Sequence, residues 1–129
     1  MVLDDGQFRF MFTARDYVRA VAFYRDGLGL PLDHDWDFGP GDAGSVFKAG
    51  GGMVEVFSPA PEAHYVKPEG VGMLLQVDDV DAWADRARGL GLTIVEEPVT
   101  QPWGQRTLRL LDPDGIVVTL FHTVPIEAT

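Results

Sequence analysis

A tetrapeptide that occurs twice constrains this chain more than any other feature. Gly-Leu-Gly-Leu stands at residues 27–30 and again at 89–92, a separation of 62 residues in a chain of 129. Each copy follows a segment with the spacing of a helix, 16–25 or 79–88, and each such segment follows an apolar run typical of a strand. The repeat therefore predicts two related modules in a pseudo-symmetric fold, with a site between them.

Both halves contain the same predicted order of elements, strand, helix and three strands. The predicted strands of the two halves are 8–13, 32–37, 45–49 and 53–58, then 72–77, 93–96, 106–111 and 117–123. Asp16 stands where a helix N-cap belongs, and the glycines of the repeat end both helices. Asp112-Pro113-Asp114-Gly115 predicts a tight turn between the last two strands.

These elements indicate one α+β domain over residues 1–129, made of two βαβββ modules. The first module is predicted at about residues 7–60 and the second at about 70–124. The segment 61–69 between them is proline-containing and aperiodic, which is typical of a connector. A chain of this length has enough residues for one core rather than for two independent domains.

Composition excludes several classes of function. The chain has no cysteine, so disulfides, thiolate metal sites and a cysteine nucleophile are excluded. Its formal charge of −10 repels nucleic acids and anionic membranes, and neither is expected as a partner. The first residues lack the pattern of a signal peptide, and no apolar run has the length of a membrane span, so a cytoplasmic location is expected.

Three runs of residues carry a resemblance to a known family. They are Ala22-Phe23-Tyr24-Arg25-Asp26-Gly27-Leu28-Gly29-Leu30, Val77-Asp78-Asp79-Val80-Asp81-Ala82 and Asp112-Pro113-Asp114-Gly115. In this order they resemble the vicinal oxygen chelate superfamily, which includes glyoxalases, extradiol dioxygenases and bleomycin-resistance proteins. The resemblance implies curved sheets that form a cup, completed in a homodimer. Whether such a dimer exchanges a strand or a module stays open.

The resemblance also implies four metal-ligand positions, on the first and last strand of each module. In this chain those positions hold Arg9, Glu55, Gly72 and Thr119. Only Glu55 is a good ligand for a divalent ion, since guanidinium stays protonated, glycine has no side chain and a threonine hydroxyl is neutral. The histidines, at 34, 64 and 122, are expected to be solvated surface residues. We therefore expect no metal and no cofactor.

Arg9 and Glu55 are instead expected to form an ion pair. In the family's sheet order the first and last strands of a module are neighbours, which would bring these opposite charges together on the cup floor. The alternative is that Arg9 reaches solvent at the end of its strand.

Alternation along the strands predicts a mostly apolar cup with few polar groups. The inward-facing candidates for ligand binding are Arg9, Met11, Met53, Glu55, Phe57, Leu74, Gln76, Thr119 and Phe121. Trp36 and Trp103 lie in or near loops at the expected rim, where they would stack on a planar ligand or serve as core anchors. Weaker rim candidates are Phe38, Phe47, His64 and Tyr65, and Arg109 is either a polar anchor in the cup or a surface residue.

The sequence thus favours a metal-independent binding protein. It is most similar in character to the bleomycin-resistance branch, whose members sequester an antibiotic in the clefts of a dimer, and the expected ligand is an aromatic natural product. The alternative is a metal-independent isomerase, cyclase or lyase of secondary metabolism that uses Glu55 as general base. A metal-dependent glyoxalase or dioxygenase ranks third, because its ligands are missing.

Overall fold

The computed structural model describes residues 6–62 and 64–126, which form eight strands, two α-helices and one π-helical turn. Their order along the chain is β1 Arg9–Thr13, α1 Tyr17–Ala22, the π-helical turn Phe23–Gly27, β2 Leu32–Asp37, β3 Ala43–Ala49, β4 Gly52–Phe57, β5 Gly72–Gln76, α2 Val80–Leu90, β6 Thr93–Thr100, β7 Gln105–Leu111 and β8 Val117–Thr123. The chain separates into two compact units, Met1–Val66 and Lys67–Thr129. Their boundary lies within the predicted connector.

The two units contain sheets of the same topology. The strand orders are β1-β4-β3-β2 and β5-β8-β7-β6. In each sheet the first and last strands of the unit pair in parallel, and the other neighbours are antiparallel. A parallel pair needs a long crossover, which the helix between the first two strands begins. The α+β class and the repeated βαβββ order are therefore confirmed.

An aromatic core joins the first sheet to its helical segment. The buried ring of Tyr24 lies 5.9 Å from Phe12 of β1 and 6.4 Å from Phe47 of β3, measured between ring centroids. The Tyr17 hydroxyl and Ser45 Oγ share a hydrogen bond of 2.6 Å. These contacts fix which face of the first sheet α1 covers, and they leave the other face for the candidate site.

The second unit has an aliphatic core between its sheet and α2. The buried side chains are Val80, Ala84 and Ala87 of α2, with Leu108, Leu110, Val118 and Leu120 of β7 and β8. His122 was expected to be solvated, but its Nδ1 accepts a hydrogen bond of 3.0 Å from the Val80 backbone N–H. This bond satisfies one of the unpaired donors at the start of α2.

The helix ends follow the sequence signals, with one difference. Asp16 and Asp79 cap α1 and α2, as their side chains accept hydrogen bonds from backbone N–H groups of the first turn. The predicted first helix ends early, at Ala22, and continues as a π-helical turn in which the Leu28 N–H donates to the Phe23 carbonyl at 2.8 Å. This wider turn allows Phe23, Tyr24 and Leu28 all to be buried.

Two strand predictions differ from the structure. β6 extends to Thr100, four residues beyond its predicted end, and includes Pro98. Because β6 is an edge strand, a proline is tolerated there. The first strand begins at Arg9 rather than at residue 8, and Phe8 lies exposed before it. Among the described residues, no helix is long and apolar enough to cross a membrane.

Candidate ligand-binding face

The face of the first sheet opposite α1, hereafter the distal face, collects most of the predicted site residues of this unit. Residues directly paired across neighbouring strands share a face. One row across the sheet contains Met11, Glu55, Val46 and His34; the next contains Thr13, Phe57, Gly44 and Trp36; and Arg9, Met53 and Lys48 form a third. The alternation predicted for Arg9, Met11, Met53, Glu55 and Phe57 is therefore confirmed.

An ion pair joins β1 and β4 on this face. Arg9 Nη1 donates to Glu55 Oε1 at 2.7 Å, and the Glu55 residue is only 7% exposed. Gln7 holds the guanidinium from its other side, where its Oε1 accepts from Arg9 Nε at 3.0 Å and from Nη2 at 2.6 Å. The predicted ion pair is confirmed, and the Arg9 side chain still reaches solvent in part, with 30% of it exposed.

The indole of Trp36 packs closely against Gly44 of β3. A Cβ at Gly44 would overlap Cζ2 and Cη2 of the indole and lie 2.9 Å from its Cε2. The Phe57 ring packs edge-on against the indole, with centroids 5.9 Å apart and an interplanar angle of 67°. Trp36 therefore gives the distal face a flat aromatic surface whose position depends on the missing side chain at Gly44.

Asp33 and His34 add a polar pair beside Trp36. The His34 ring stacks on the indole, with centroids 6.0 Å apart, and its Nδ1 lies 2.6 Å from Asp33 Oδ2. The hydrogen bond from His34 lowers the pKa of Asp33, and the nearby charges of His34, Lys48 and Arg9 lower it further, against partial desolvation. Since an ionised carboxylate only accepts, Nδ1 of His34 is the donor.

The second sheet has a corresponding face opposite α2. Gly72, Leu74 and Gln76 of β5 pair with Val117, Thr119 and Phe121 of β8, in the same register as the β1–β4 pairing. Arg109 pairs with Thr119 and with Glu96, and its Nε lies 3.9 Å from Glu96 Oε1. The side chain of Arg109 is about half exposed, and its role as a polar anchor stays a prediction.

Three further aromatic candidates lie outside these rows of paired residues. Phe47 was predicted at the rim, but it is fully buried on the α1 side, so that prediction is wrong. Phe38 follows β2 and is 79% exposed. Trp103 lies in the turn between β6 and β7, is 60% exposed, and donates from Nε1 to Gln105 Oε1 at 3.1 Å.

The donors at the four metal-ligand positions do not fit a divalent ion. The guanidinium of Arg9 is cationic and engages the one carboxylate of the set, Glu55. Gly72 offers no side-chain donor, and Thr119 offers only a neutral hydroxyl. Within residues 6–62 and 64–126, no group of three or more His, Cys, Asp or Glu side chains is placed to hold a metal.

Sequence reasoning missed three residues of the distal face. Gln7 lies two residues before Arg9 and contacts it, but it precedes the predicted strand. Lys48 lies opposite Met53, and only the register between β3 and β4 shows this. Gly44 lies just outside the predicted bounds of its strand. A glycine at the start of a strand is the signal that could have indicated the close approach of another group.

The fold and this site define a protein of two βαβββ units. At two of the four strand positions where the resemblance implies metal ligands, it holds an ion pair, Arg9 with Glu55. The family model described as the Glyoxalase/Bleomycin resistance protein/Dioxygenase superfamily matches residues 6–120. The chain belongs to this superfamily. No curated protein gives a significant match.

Solved structures share the fold over most of their length. A superfamily member from Sphaerobacter thermophilus DSM 20745 is 26% identical, with a TM-score of 0.71 and coverage of 90% of this chain and 95% of that one. A lactoylglutathione lyase from Agrobacterium tumefaciens is 25% identical, with a TM-score of 0.70 and coverage of 92% and 94%. TioX from Micromonospora sp. ML1 is 22% identical, with a TM-score of 0.71 and coverage of 92% and 99%.

Proposed function

We propose that this protein binds an aromatic natural product on the distal face of the first sheet and confers antibiotic resistance by sequestering it. The observation that carries this proposal is the flat indole of Trp36, framed by Phe57 and His34, beside an internally neutralised Arg9–Glu55 pair. Stacking on such a surface needs area and preorganisation rather than an acid, a base or a nucleophile.

The apolar side chains around Trp36 suit a broad ligand. Met11 is 59% exposed, and Met53 and Phe57 are partly exposed on the same face. Methionine adapts its shape to an irregular partner and makes favourable sulfur–aromatic contacts. A ligand that covered Met11, Trp36 and Phe57 would therefore gain both apolar burial and stacking.

Intrinsic tryptophan fluorescence tests this function directly. A panel of aromatic antibiotics is titrated into metal-free protein, and each ligand is recovered afterwards for mass analysis. We expect saturable quenching at about one ligand per chain, with the ligand returned unchanged. Trp36→Phe should remove most of the quenching, whereas Trp83→Phe should preserve it, because Trp83 lies on α2 beside Arg86. Equal quenching in the Trp36→Phe variant would contradict the proposal.

A second candidate function is metal-independent catalysis with Glu55 as general base. The specific observation in its favour is that Glu55 is buried while its Oε2 has no hydrogen bond within the described residues. Glu55→Gln separates the two functions, since an enzyme would lose turnover by about 100-fold or more, whereas a sequestering protein would lose at most some affinity. A ligand returned with altered mass or connectivity would favour the enzyme.

A further inference from the structure

The Arg9–Glu55 pair has unused hydrogen-bonding capacity on both of its members. Of the five N–H groups of a guanidinium, Arg9 uses three within the described residues, one to Glu55 and two to Gln7. Glu55 accepts through Oε1, and within residues 6–62 and 64–126 its Oε2 has no hydrogen bond. Two N–H groups of Arg9 and one carboxylate oxygen of Glu55 therefore remain for a ligand on the distal face.

We propose that this pair is the anchor for a neutral amide carried by the aromatic ligand, a carboxamide or a lactam with at least one N–H. The amide oxygen accepts from a free N–H of Arg9, and the amide N–H donates to Glu55 Oε2. The inference rests on the proposed function and specifies which aromatic compounds the same site prefers.

Charge favours a neutral ligand over an ionised one. A carboxylate near the pair would be attracted by Arg9 and repelled by Glu55, and an ammonium group would meet the reverse. Since the two protein charges lie 2.7 Å apart, these opposing terms largely offset each other, while the ligand ion still loses hydration. An amide loses less hydration and regains two hydrogen bonds to charged partners, which are stronger than bonds to neutral ones.

The spacing of the rows suits a ring with the amide attached directly to it. Glu55 and Phe57 lie two residues apart on β4, which corresponds to about 7 Å along the strand. Trp36 lies in the same row as Phe57. An aromatic ring system stacked on Trp36, with its edge against Phe57, can therefore place a carboxamide over the row of Glu55.

Calorimetric titration with four naphthalenes of equal ring size tests this anchor. The probes are 2-naphthamide, N,N-dimethyl-2-naphthamide, 2-naphthoate and 2-methylnaphthalene, which offer respectively a donor with an acceptor, an acceptor alone, an anion, and no polar group. We expect 2-naphthamide to bind at least about 10-fold tighter than the other three, the factor that one hydrogen bond to a charged group supplies.

The double variant Arg9→Met with Glu55→Leu removes the anchor and keeps an apolar face. Replacement of a buried ion pair by apolar side chains of similar volume is often neutral for folding. In this variant 2-naphthamide should fall to the affinity of 2-methylnaphthalene, whose own binding shows that the face is intact. Glu55→Gln is a milder variant that should reduce the preference. Arg19→Met is the control that should leave it unchanged, because Arg19 is an exposed cation on α1, on the opposite side of the sheet.

The possible outcomes separate the two proposals. Equal binding of all four probes would overturn the amide anchor and leave aromatic binding in place. Tightest binding of 2-naphthoate would overturn it in favour of an anion site formed by Arg9 and Lys48. Binding by none of the four would overturn the anchor and the proposed aromatic site together.

Discussion

At the scale of single residues, the buried pair makes Arg9 and Glu55 depend on each other. Removal of one partner would leave an uncompensated charge, which costs far more than the net stabilisation that the pair provides. Gln7 strengthens this dependence because its Oε1 fixes the orientation of the guanidinium through two hydrogen bonds. Substitutions at these positions are therefore best made in pairs if binding is to be measured separately from folding.

Gly44 is the residue on which the position of Trp36 depends. Gly44→Ala introduces a methyl group that overlaps the indole, so the ring must move or β3 must shift. We expect the free energy of unfolding to fall by about 1–3 kcal/mol, as in other overpacked sites, and aromatic ligands to bind more weakly. Urea denaturation followed by far-ultraviolet circular dichroism measures the first effect, and calorimetry measures the second.

Gly51→Ala is the matched control for Gly44→Ala. No atom lies within 4 Å of a Cβ built at Gly51, which stands in the turn between β3 and β4. Its stability and ligand binding should be close to those of the parent protein. If Gly44→Ala were as stable as Gly51→Ala and bound ligands equally well, the indole would not depend on the absence of a side chain at Gly44.

The contrast between Glu55 and Phe47 explains which site residues the sequence could predict. Arg9 and Glu55 follow from alternation on two strands whose pairing the family's sheet order supplies, so their contact was predictable. Phe47 lies on β3, where composition marks a strand but does not say which alternate residues face the core. Only the register, Val46 opposite Glu55 and Phe47 opposite Val54, places Phe47 on the α1 side.

At the scale of elements, the two copies of the tetrapeptide share the backbone conformation of one of their two glycines. The second glycine takes a left-handed backbone conformation in both copies, with φ of 67° at Gly29 and 71° at Gly91. The first glycine differs, because Gly27 ends the π-helical turn and Gly89 lies inside α2. The two copies of the tetrapeptide predicted that each helical segment ends there. They did not predict the π-helical turn, because that turn depends on how Tyr24 packs against Phe12 and Phe47.

Two glycines near the end of α2 should respond in opposite ways to alanine. Gly89→Ala adds a methyl group that meets no atom within 4 Å, and it reduces the backbone entropy lost on folding, so stability should rise by up to about 1 kcal/mol. Gly91→Ala forces a side chain into the left-handed region at φ 71° and should cost about 1–2 kcal/mol. Thermal unfolding measures both. Changes of the same sign would contradict the helix boundary at Leu90.

At the scale of the whole molecule, both units leave apolar side chains on the sheet face opposite their helix. Met11 on the first distal face is 59% exposed, and Leu74 on the corresponding face of the second sheet is 57% exposed. The formal charge of −10 keeps such a surface soluble through mutual repulsion, which added salt would weaken. The strand pattern alone predicted these exposed positions, since alternation assigns them to the face without a helix.

We propose that a second copy of the chain covers part of this apolar surface, so that the protein is a homodimer. Sedimentation at micromolar concentration should then give twice the 14.2-kDa mass of one chain. Leu74→Lys should shift the mass toward that of a monomer, because a buried charge without a partner is costly. Val18→Lys is the control, since Val18 is an apolar residue on α1 that is 76% exposed, and it should leave the dimer intact. A mass of 14.2 kDa for the parent protein would contradict the dimer, whereas a dimer that tolerates Leu74→Lys would place its interface elsewhere.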